Sequence, residues 1–141
     1  MIVGNLVLDP NLSATGDGIP NWWKQQYGFD PLSTNGNNNA NADPDGDGMS
    51  NLQEYLAGTD PTNSASSFRI TSIVPTNGSD VLVTWTTGLA KTNALQSTTN
   101  FPTGYADIFI VTNTTGTVTN YTDPGAVTNG PSRYYRVRLV P

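Results

Sequence analysis

The chain has no cysteine and no histidine among its 141 residues. A disulfide framework is therefore excluded, as are zinc sites built on thiolate or imidazole and histidine-based acid–base catalysis. Charge is scarce as well: 12% of residues are charged and 35% are hydrophobic. No apolar run approaches the ~20 residues that cross a bilayer, so no membrane span is expected. The opening MIVGNLVLDP is too short for a signal peptide and lacks its basic flank, so an exported protein would be represented by its mature form or a fragment. The few charges lie unevenly. Residues 1–61 hold eight acids against Lys24 alone, residues 62–141 three acids against five bases, so the halves sit near −7 and +2. One end is too acidic and the other too weakly basic for a nucleic-acid binder.

What the chain does have is Gly, Pro, Asn and Thr, a composition suited to turns and short strands. Its length holds one ordinary domain or two small ones. Residues 1–15 contain a short apolar run, IVGNLVL at 2–8, which reads as a strand without an obvious hairpin partner. Residues 16–61 contain an internal repeat, and from residue 67 to 141 the pattern is strand, turn, strand. The strand candidates there are SFRITSIV, DVLVTW, TNALQST, YADIFIV, TVTNYT and SRYYRVRLV, separated by turn signals such as Asn77-Gly78 and Asp123-Pro124-Gly125. Six strands so spaced predict a small β-sandwich, and the chain as a whole is expected to be mainly β.

The repeat appears when GDGIPNWWKQQYGFDP (16–31) is laid on GDGMSNLQEYLAGTDP (46–61): seven of sixteen positions agree. Each copy predicts a loop, a helix of about two turns, a glycine stop and an Asp-Pro turn. The two helices are expected to bury Ile19, Trp22, Trp23, Leu52, Tyr55 and Leu56 in a thin core that needs support beyond burial. Trp22 aligns with Leu52 and reads as core, which leaves Trp23 as the candidate surface ring and a candidate glycan contact.

The chemistry concentrates in DPDGDGMSNLQE, residues 43–54, which satisfies Asp-x-(Asp/Asn)-x-(Asp/Asn)-Gly-x5-Glu in full. A hard cation such as Ca2+ takes about six to eight oxygens. Asp43, Asp45 and Asp47 can curl round it, Gly48 permits the turn, and the Met49 carbonyl faces inward. Asn51 ligates directly or through water, and Glu54 closes the site with two oxygens. An acidic helix-capping loop without metal is the competing reading, weakened by the mutual repulsion of carboxylates so close together. In the first copy Ser13, Thr15 and Lys24 stand in place of Asp43, Asp45 and Glu54. That copy is either kept for its helix and packing, or lends Asp17, Asn21 or Asp30, with Asp60 as a further candidate, to a shared second site. Asp30 and Asp60 sit in matched Gly-x-Asp-Pro turns, where turn chemistry is the alternative to ligation.

DPDGDGMSNLQEYLAGTDP, with its partner GDGIPNWWKQQYGFDP, resembles the bacterial thrombospondin type 3 repeat of secreted and cell-surface proteins. The likeness covers about residues 13–61. Residues 68–140 resemble, less specifically, the fibronectin- or immunoglobulin-like modules that often follow such repeats. The resemblance implies calcium ions organising a chain with little core, with Asp43, Asp45, Asp47, Asn51 and Glu54 as ligands. No enzyme is expected: there is no nucleophile elbow or phosphate loop, and the metal loop supplies enough protein ligands to leave no open catalytic position. Asp107 and Asp123 are read as strand-end and turn residues rather than a hydrolytic pair. Sequons at Asn11, Asn77, Asn113 and Asn120 fit an exported protein. Together these readings predict an extracellular calcium-binding structural module. Strand addition by residues 2–8 would make it a self-assembling filament subunit. The alternative is a spacer, anchoring or polysaccharide-binding module of a larger secreted protein.

Overall fold

The structure, a computed structural model, describes residues 2–3, 6–112, 114–128, 130 and 132–141. The sequon at Asn113 lies outside the described residues. The chain divides into two compact units, Met1–Ser67 and Phe68–Pro141. Among the described residues, no helix is long and apolar enough to cross a membrane.

The first unit opens with β1 (Ile2–Val3) and β2 (Leu6–Val7), which pair antiparallel with Ile2 opposite Val7 and Val3 opposite Leu6. The run at 2–8 is thus not an unpartnered strand: its two halves pair with each other. Gly4 and Asn5, between them in the sequence, lie outside the described residues.

Two short helices follow, α1 (Asn21–Gln26) and α2 (Asn51–Ala57), each after a Gly-Asp-Gly loop. Both stop at a glycine whose left-handed backbone a β-carbon would strain: φ is 78° at Gly28 and 72° at Gly58. The hydrogen bonds carry the repeat further than the residue types do. Asn21 N–H donates to the Leu12 carbonyl and Asn51 N–H to that of Ala42, both at 2.8 Å. Trp22 N–H reaches the Pro10 carbonyl and Leu52 N–H that of Ala40, both at 3.0 Å. At the far end, the Asp30 and Asp60 carboxylates accept the N–H groups of Leu32 and Thr62 (2.9 and 3.0 Å). The structural repeat therefore runs from 9–33 to 39–63.

The core of this unit is small: Ile19, Trp23 and Ala40, with Tyr27, Phe29, Leu52 and Tyr55 packed against them. Two expectations are corrected here. Trp23, not Trp22, is the core ring: it is 3% exposed, and Trp22 is 40% exposed. Trp23 and Tyr27 lie four residues apart on one helix face, rings 4.9 Å apart, and the turn at Gly28 brings Phe29 to within 6.0 Å of Trp23. Trp22 meets the edge of the Tyr55 ring at 6.3 Å. Leu56, also expected in the core, is exposed. The buried positions of α2 are Asn51, Glu54 and Ala57, three apart, so a polar stripe faces inward and Leu56 lies beside it.

The second unit contains the six strands expected from the sequence: β3 (Ile70–Thr76), β4 (Asp80–Thr86), β5 (Thr92–Thr98), β6 (Ala106–Val111), β7 (Val118–Asp123) and β8 (Tyr134–Val140). They form two three-stranded antiparallel sheets, ordered β3-β4-β7 and β6-β5-β8. Alternation in β4 turns Val81, Val83 and Trp85 inward, and Leu95 of β5 joins them in a single cluster. Phe109, Tyr121, Tyr135 and Val137 pack around it, so both sheets supply the core. Pro75 is accommodated in β3 because that strand lies at a sheet edge.

Candidate metal centre

The second loop is shaped by its own carboxylates. Asp43 Oδ1 accepts the N–H of Gly46 (2.8 Å) and of Asp47 (3.2 Å), and Asp43 Oδ2 accepts that of Gly48 (2.9 Å). Asp45 Oδ1 accepts the Asp47 N–H at 3.2 Å, and Asp47 Oδ1 accepts the Met49 N–H at 2.7 Å. Alternate residues thereby curl round one point, and Asp43, Asp45 and Asp47 each bring a carboxylate oxygen within 4.8 Å of the others. The remaining oxygens, Asp45 Oδ2 and Asp47 Oδ2, are buried and have no hydrogen-bond partner.

Glu54 sits one turn into α2 and is wholly buried. Its Oε1 accepts from the Thr59 hydroxyl at 3.3 Å, while Oε2 has no partner. Burial, then the charges of Asp45 and Asp47 and more weakly Asp43, push its carboxyl up to about 8 against the pull of Thr59. Burial also lifts Asp45; the Asp47 N–H opposes this, and the Asp47 and Asp43 charges add to it. Three aspartates thus converge, the buried Glu54 carboxyl lies within reach of their charge, and Asp45, Asp47 and Glu54 each keep one unsatisfied oxygen. This donor set is all oxygen, which suits a hard divalent ion.

Asn51 has a different first duty. Its Nδ2 donates to the carbonyls of Asn37 and Asn39, both at 2.8 Å, and straps the preceding loop to the helix start. Its Oδ1 lacks a partner, and the first copy gives a reason without metal. There, Asn21 Oδ1 accepts the Ala14 N–H at 2.9 Å, and the matching residue of the second copy is Pro44, which has no N–H. Met49 follows Gly48 in the loop, half-buried.

The candidates for a second site are engaged elsewhere. Asp17 is ion-paired with Lys24, and Asn21 is bonded at both ends, its Nδ2 donating to the Asp9 carbonyl at 2.8 Å. Asp30 and Asp60 hold their own turns; Asp60 Oδ1 also accepts the Thr62 hydroxyl at 2.7 Å. Among the described residues, only Asp43, Asp45 and Asp47 form an acidic group close enough to share a metal.

Two features escaped the sequence reading. Lys24 counted there only as a lost ligand, although a cation at a ligand position signals a partner. The other lies in the second unit, where Trp85 Nε1–H donates to Asn93 Oδ1 (2.7 Å) and Asn93 Nδ2–H to Thr87 Oγ1 (3.0 Å), all of it buried. Asp107 and Asp123 keep structural company. Asp107 pairs with Arg138 (2.5 Å) and accepts from Gln96 (2.6 Å). Asp123 accepts the Tyr135 hydroxyl and pairs with Arg133, both at 2.9 Å. Comparison with family models, with curated proteins and with solved structures gave no match.

Proposed function

We propose that residues 43–54 bind one Ca2+ and that the ion is structural, holding the second repeat of an extracellular module. The carrying observation is Glu54, a wholly buried carboxylate with a free oxygen, set against three aspartates. Monodentate Asp43, Asp45 and Asp47, the Met49 carbonyl and both oxygens of Glu54 would supply six ligands, with water completing the shell. The small core of the first unit gives the ion its purpose, since binding energy available only to the folded loop adds to stability. Millimolar calcium outside cells fills such a site even at modest affinity, which favours an extracellular location. In this reading the two sheets of residues 68–141, which share one core, are a small sandwich of the fibronectin- or immunoglobulin-like kind, and the chain serves as a spacer or anchoring module.

The filament reading rested on a free strand at residues 2–8, and those strands pair with each other. The glycan reading rested on Trp23 and exposed tyrosines, and Trp23 is buried. Neither is carried further. Calorimetry tests the metal claim: Ca2+ should bind the intact chain in one saturable step and give no such heat with Asp47→Ala. Equal heats in the two would refute the assignment.

A further inference from the structure

The two loops hold equivalent backbones round different contents. In the first, Asp17 N–H donates to Ser13 Oγ at 3.1 Å, as Asp47 N–H does to Asp43 Oδ1 at 3.2 Å. Ile19 N–H donates to Asp17 Oδ1 at 3.2 Å, as Met49 N–H does to Asp47 Oδ1 at 2.7 Å. Glycines 16 and 46, and 18 and 48, share positive φ: 68° and 76°, 86° and 93°. The difference lies in the atoms that face inward. Asp17 Oδ2 receives Lys24 Nζ at 2.5 Å, and Thr15 Oγ1 receives it at 3.0 Å. The matching groups of the second loop are Asp47 Oδ2 and the Asp45 carboxylate, whose Oδ2 is likewise buried; both Oδ2 atoms lack partners. Lys24 itself stands where the second copy has Glu54, and its side chain is 1% exposed.

We propose that the Lys24 ammonium is the resident cation of the first loop, replacing a metal ion, so that this copy is closed without calcium and takes none. Resting on the calcium reading of the second loop, this divides the repeat pair into a metal-independent half and a metal-dependent half. The charges agree. Ser13 and Thr15 remove two carboxylates, leaving Asp17 to balance one ammonium, whereas the second loop gathers four acids. Burial alone would raise Asp17, yet the bonds from Lys24, the Ile19 N–H, Ser13 and Thr15 outweigh it and hold the carboxyl below its ordinary value. A divalent ion entering there would have to expel a buried ammonium whose one ion-pair partner among the described residues is Asp17, and the loop would gain no new carboxylate.

Native mass spectrometry of the whole chain in Ca2+ should count one ion in the wild type. Two ions would overturn this inference alone; none would overturn the calcium reading beneath it. S13D/T15D/K24E, which gives the first loop the second loop's ligands, should bind two, and a folded variant that still binds one would overturn the inference. A second measurement needs no variant. Lys24 and Lys91 are the only lysines, so the Lys24 side-chain ammonium can be followed by nitrogen-detected or proton–nitrogen NMR. Its resonance should keep its shift and intensity while Ca2+ saturates the second loop; its loss on titration would mean that metal displaces it.

Discussion

Lys24 and Glu54 occupy one position in two copies of the same fold, and the sign of the charge decides what each loop needs. Both are buried at the same helical position, so neither can leave its charge to solvent. The type of each was plain in the sequence, and the ligand motif at 43–54 could be read outright because its spacing is local. Partners brought together by folding were not plain. Asn93 stood inside a predicted strand, but alternation gives only its face, not the Trp85 indole on the neighbouring sheet. That bond supports a prediction at this scale. Asn93→Ala leaves a buried N–H unpaired, which costs about 1–3 kcal/mol. The melting temperature of the second unit should fall by several degrees (about 4–8 °C per kcal/mol for a unit this small), and an unchanged midpoint would contradict the assignment.

At the scale of elements, both short helices and all six strands could be read from glycine stops, Asp-Pro turns and alternation, each a local rule. The exchange of Trp22 and Trp23 between surface and core could not, because aligning the two copies hides what is peculiar to one. Phe29 matches Thr59, and Tyr27 matches Ala57, so only the first copy builds an aromatic nest round its second tryptophan. The helix starts differ in the same way. Ser50 caps α2 in a full capping box with Gln53, whereas Pro20 at the start of α1 has no side-chain acceptor and makes no cap bond. Ser50→Ala should therefore cost about 1 kcal/mol. Thermal unfolding of the calcium-free chain checks it, with chelator present so that no ion holds the helix start. A loss confined to the calcium-loaded form would place the role of Ser50 in metal binding instead.

For the whole molecule, the balance of burial differs between the units. The second has a core fed by two sheets around Trp85, Val83 and Leu95, all fully buried. The first has three buried apolar residues in its cluster, and two of the three buried positions on each of its helices are polar. In the proposed reading, stability there draws on the ion pair of the first loop and on a Ca2+ ion in the second. Amide hydrogen exchange, with Ca2+ and then with chelator, tests this most directly. With free Ca2+ at one hundred times its Kd, the linkage is about 2.7 kcal/mol, or roughly 100-fold slower opening. Exchange should slow by that order across residues 43–60, while residues 12–30 and 68–141 keep their rates. Equal rates in the two conditions at residues 43–60, or slowing centred on residues 12–30, would contradict the account.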